Sequence, residues 1–83
     1  MTPDIVVDIG NSRMKWGRVE NGVIAKSVSL SYDDQYQWER QIVEWNQPKP
    51  YWAIASVSKE HLKSFSDWLK RHHWDSDIIN NGF

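Results

Sequence analysis

The chain has 83 residues, 40% hydrophobic and 25% charged, the composition of one small globular domain with room for a single core. Its net charge of -1 at pH 7 gives no general attraction to nucleic acid or to acidic membranes. It has no cysteine, which excludes disulfides and thiolate zinc sites and agrees with a reducing compartment, and no apolar run approaches the roughly 20 residues of a transmembrane helix. Met1-Thr2-Pro3-Asp4 has neither a basic region nor a long apolar one, so no signal peptide is expected and the predicted location is cytoplasmic, without membrane contact. The six tryptophans are read as core filler and interface surface rather than a platform for bases, because basic residues do not cluster around them.

In chain order, a first strand is predicted from about Asp4 to Ile9. Ile5, Val6, Val7 and Ile9 form a β-branched run, which predicts a strand buried on both faces and leaves Asp8 inside it or at its end. An acid there is costly unless it is paired, hydrogen-bonded or facing a cation. Gly10 then lets the backbone turn and a ligand approach, and Asn11 and Ser12 add short polar groups and backbone donors. These pieces match a loop for a Mg-nucleotide phosphate.

A second strand runs from about Arg13 to Glu20, and Asn21-Gly22 predicts a type I′ hairpin turn into a third strand, Val23 to about Leu30. Asp34 and Gln37 have capping-box spacing ahead of Trp38, Ile42 and Trp45, which share one helical face, and Pro48 and Pro50 stop that helix. Tyr51 to Val57 reads as a fourth strand, buried and parallel to the first. Ser58 caps a second helix with Leu62, Phe65 and Leu69 as its apolar stripe and Lys59, Lys63, Lys70 and Arg71 toward water. Asp77 to Asn80, centred on Ile78-Ile79, is a short fifth strand. The class is α/β: one domain over residues 1–83, a mixed five-stranded sheet in which three antiparallel strands precede helix, strand, helix and strand, with helices on its faces.

That arrangement is the core of a ribonuclease H-like domain, which also forms each half of the sugar-kinase, actin and chaperone ATPases. Asp8-Ile9-Gly10-Asn11-Ser12-Arg13-Met14-Lys15-Trp16 resembles the Asp-x-Gly-Asn-Thr/Ser phosphate motif that opens type III pantothenate kinases. Ala55-Ser56-Val57 resembles the small-residue strand end of that family; where the family usually continues with Val and Pro, this chain has Ser58 and Lys59. The resemblance implies a two-lobed, homodimeric enzyme that phosphorylates pantothenate with ATP, Mg²⁺ and a monovalent cation such as K⁺ or NH₄⁺, at the first step of coenzyme A synthesis. On that expectation residues 1–83 are the first lobe, a fragment inactive by itself. The family's Gly-Ala-Asp-Arg segment, with the catalytic base and pantothenate contacts, belongs to a second lobe, and no catalytic residue is expected here.

Within the loop, Asp8 is expected to hold Mg²⁺, largely through water; the alternative is a carboxylate capping the turn. Gly10, Asn11 and Ser12 are expected to cradle the β and γ phosphates, against an ordinary polar turn. Lys15 either neutralises a phosphate oxygen or is a solvated strand lysine, and strand parity alone leaves its face open.

Other patterns carry less. Ser12 and Lys15 have serine acyl-enzyme spacing, but that chemistry needs both on one helical turn. His61, His72 and His73 read as helix-surface residues, and Asp33-Asp34 as a helix start. A two-metal nuclease needs a carboxylate at the end of the fourth strand, where Ser56 stands. The main alternative to a kinase lobe is a noncatalytic binding or regulatory module of the same fold, without the basic face that DNA binding needs.

Overall fold

The β-branched run forms β1 (Ile5–Ile9) at the centre of a five-stranded sheet of order β3-β2-β1-β4-β5. The structure is a computed structural model and describes residues 2–79. β2 (Arg13–Glu20) lies antiparallel to β1, and β3 (Val23–Ser31) antiparallel to β2. Asn21 and Gly22 turn between them with φ of 54° and 81°, the pair of positive values that a type I′ turn requires. β4 (Trp52–Ser56) pairs parallel with β1, and β5 (Ser76–Ile78) parallel with β4. The fifth strand thus starts one residue earlier than predicted, and Asn80 lies outside the described residues.

Helix α1 (Gln35–Glu44) connects β3 to β4, and α2 (Lys59–Arg71) connects β4 to β5. Asp34 caps α1, its carboxylate accepting from the Tyr36 amide, one residue earlier than a capping box uses. Ser58 caps α2, accepting from the His61 amide. β3, β4 and β5 are mutually parallel and both crossovers move the same way across the sheet, from the β3 edge toward β5. Two right-handed crossovers in one direction put both helices on one face. The helices expected on the faces of the sheet thus pack on one of them.

Trp16 is the centre of the covered face. It is fully buried, with ring centroids of Trp52, Phe65, Trp68 and Trp45 at 5.0, 5.9, 5.9 and 6.4 Å. Trp38 from α1 meets Phe65 and Trp68 from α2 at 5.6 and 5.4 Å, so the two helices share this core. Ile5, Val7 and Ile9 point into it, while Val6 is half-buried and Asp8 exposed. The strand expected to be buried on both faces is therefore buried on one.

Candidate functional site

The turn from β1 to β2 is tight. The Gly10 amide donates to the Arg13 carbonyl at 3.1 Å, and a Cβ on Gly10 would lie 3.1 Å from that same oxygen. Glycine suits this position because a side chain would crowd that carbonyl, not because of a left-handed φ. Asn11 and Ser12 form the exposed tip.

Register settles the faces. Asp8 is opposite Lys15 on β2 and beside Ala55 on β4, and Lys15 is opposite Ser29 on β3. Asp8 and Lys15 therefore share the open face of the sheet, both exposed, just below the Asn11–Ser12 tip. Neither belongs to an ion pair found among the described residues. Arg13 is committed elsewhere: its guanidinium donates to the Ser29 hydroxyl at 2.9 Å and to the Ser29 carbonyl at 3.2 Å.

Two groups outside the motif join this end of the sheet. Tyr32, just past β3, donates its hydroxyl to the Gly10 carbonyl at 2.6 Å. Its ring stacks on His61 of α2, centroids 3.7 Å apart and planes 6° from parallel. Burial and then the charge of Asp8 raise the Tyr32 pKa above the ordinary 10.0, so the phenol stays a donor. From β4, Ser56 donates its hydroxyl to the Ser58 carbonyl at 2.8 Å and accepts the Ser58 amide at 3.1 Å, fixing the turn into α2 beside Ile9, whose carbonyl accepts from Val57.

The predicted residues Asp8, Gly10, Asn11, Ser12 and Lys15 thus lie at one end of the sheet, with both charged groups on one side. A lone exposed carboxylate suits Mg²⁺, which keeps most of its waters and takes one or two protein carboxylates with phosphate oxygens. A site made wholly of protein ligands is absent: among the described residues no three His, Cys, Asp or Glu side chains gather. Asp8 has Lys15 and Ala55 as register neighbours, so the second carboxylate of a two-metal nuclease is missing there.

Tyr32 went unnoticed in the sequence and His61 was read only as a helix-surface residue, because both are far from the motif in the chain. The available signal was topological. Parallel β1, β3 and β4 all end at the same edge, so the residues just after them converge. His72 is likewise more than a surface residue: its ring stacks on Trp74 at 4.1 Å and its Nε2 lies 2.6 Å from Glu39. No protein-family model matches this chain, and no curated protein matches it.

Proposed function

We propose that this chain is the nucleotide-phosphate-binding lobe of an ATP-dependent kinase of the pantothenate kinase type, with the ribonuclease H-like core that such lobes use. The observation that carries the proposal is the shared open face of Asp8 and Lys15 beneath the exposed Asn11–Ser12 tip. A carboxylate, a lysine and a polar turn with backbone donors are the parts that hold a metal-bound polyphosphate.

Phosphoryl transfer asks the protein mainly to position and neutralise. Asn11 and Ser12 would hold the β and γ phosphates through the turn amides, the Asn11 carboxamide and the Ser12 hydroxyl. Lys15 would offset phosphate charge as a mobile point charge. Asp8 would hold Mg²⁺ through its waters, and the ion supplies neutralisation of charge on the phosphate oxygens when bound. On this proposal the base and the acceptor site belong to a second lobe through which the enzyme dimerises, and a monovalent cation assists. Residues 1–83 alone would bind Mg-ATP without phosphorylating pantothenate.

The test is calorimetric titration of the chain with ATP, with and without Mg²⁺. Binding that is at least tenfold tighter with Mg²⁺, and that in the presence of Mg²⁺ weakens at least tenfold in Asp8→Asn, is the expected result, tenfold being about 1.4 kcal/mol. Absence of binding, or affinity indifferent to both Mg²⁺ and Asp8, would leave the noncatalytic module as the better account.

A further inference from the structure

The Gly10 carbonyl is held from one side by Tyr32, and that bond has a consequence for the next amide. The Gly10 oxygen and the Asn11 N–H belong to one planar trans peptide unit, so they point in opposite directions. Fixing the oxygen toward the Tyr32 hydroxyl at 2.6 Å therefore fixes the Asn11 N–H away from Tyr32. Tyr32 is half-buried and packs against the edge of the aromatic core, so the N–H is aimed outward at the exposed tip. That amide takes no backbone partner among the described residues.

The clamp is itself held. The Tyr32 ring lies flat on His61, in the first turn of α2, and the His61 amide is bonded to the capping hydroxyl of Ser58 at 3.3 Å. Three segments far apart in the chain are thereby locked: the β1–β2 turn, the end of β3 and the start of α2. The second fastening of the turn, Gly10 N–H to the Arg13 carbonyl, closes the hairpin but does not orient the Gly10–Asn11 peptide.

We propose that Tyr32, braced by His61, is a positioning residue for phosphate recognition: it holds the Gly10 carbonyl so that the Asn11 amide is presented to a polyphosphate before it arrives. The gain is preorganisation, because a turn already set loses less freedom on binding. This rests on the phosphate assignment of the Gly10–Ser12 turn, which the proposal deepens with two residues outside the motif.

The test uses the 83-residue chain, Mg-tripolyphosphate as the probe, and four proteins: wild type, Tyr32→Phe, His61→Ala and His61→Phe. Tyr32→Phe keeps the ring and its stack and removes only the hydroxyl. Its affinity should fall by about tenfold, the size of one hydrogen bond's contribution, while the backbone order parameter falls at Asn11 and amide exchange in the core strands stays unchanged. His61→Ala should weaken binding in the same direction and His61→Phe should restore it, since a flat ring is what the brace supplies. Tyr32→Phe binding as tightly as wild type, or an unaltered order parameter at Asn11, would overturn the proposal alone. Failure of the wild type to bind tripolyphosphate would instead overturn the phosphate assignment and this inference with it. A variant that lost core protection would be read through the His61 pair, where rescue by phenylalanine decides the outcome.

Discussion

Asp8 and Lys15 stand directly opposite one another across the β1–β2 ladder, on the face that no helix covers. Opposed residues of a ladder point to the same side, so the pairing answers the question strand parity left open for Lys15. Both side chains are exposed and outside the ion pairs of the described residues, so both can turn toward a ligand at the Asn11–Ser12 tip.

Their opposite charges give opposite signs in one experiment. Lys15→Gln should weaken tripolyphosphate binding whether or not Mg²⁺ is present, by about fivefold at low salt and less as salt rises, because exposed charges are screened. Asp8→Asn should weaken binding only with Mg²⁺ and strengthen it without, since a carboxylate repels a bare polyphosphate. Neither change should move stability by more than about 0.5 kcal/mol at these exposed positions. Equal behaviour of Asp8→Asn in both conditions would remove the carboxylate from metal binding.

Local rules carried most of the fold. The Asn21-Gly22 turn, the Asp34 and Ser58 caps and the β2 limits follow from short-range chemistry and stand where expected. The error over β1 arose because a β-branched run reports strand preference without saying how many faces are covered. The answer lay in the crossovers: two right-handed connections in the same direction leave one face open. The motif residues were legible because Asp8 to Lys15 are contiguous. Tyr32 and His61 were not, since their meeting depends on which strands end at the same edge.

The aromatic core sets the stability of so small a domain. Trp16 is fully buried among four rings, and Trp16→Ala should cost about 3–5 kcal/mol by lost burial and the cavity left behind. A domain of this size holds roughly 4–12 kcal/mol in all, so the melting point should fall by about 15 °C or the cooperative transition vanish. Trp74→Ala, at the half-buried edge, should cost less. Thermal melts of both variants by circular dichroism check the order; equal losses would contradict the placement of Trp16.

Glu39 joins the helices through two donors. Its Oε1 accepts the Trp68 indole N–H at 2.8 Å and lies 2.6 Å from His72 Nε2. Trp68 is only 2% exposed, so Glu39→Ala leaves an indole donor without partner or ready water and should cost about 1–2 kcal/mol. Glu39→Gln still offers a carbonyl oxygen and should cost less than half as much. In a Trp68→Phe background the alanine change should lose much of its effect, because no indole N–H remains to be stranded. Urea unfolding of wild type, the two Glu39 variants, Trp68→Phe and the Glu39→Ala/Trp68→Phe double variant checks both statements, and an undiminished effect would mean that the indole bond is not what Glu39 supplies.

Alkaline pH tests the effect of the Asp8 charge on Tyr32. Burial first and the Asp8 charge second raise the Tyr32 pKa above its ordinary 10.0, and Tyr51 shifts the same way through its hydrogen bond to Asp77. A phenol with a raised folded pKa holds its proton where the unfolded chain has lost it. Its stabilising contribution is therefore complete below about pH 10 and is lost as pH rises from there through the folded value. Tyr32→Phe should flatten part of that alkaline loss. Difference absorbance titration of wild type against Tyr32→Phe isolates the Tyr32 ionisation, and in an Asp8→Asn background its midpoint should move down toward 10 while staying above it, because burial persists. A midpoint unaffected by Asp8→Asn would show that the carboxylate does not act on the phenol, and the cluster at this end of the sheet would have to be redrawn without it.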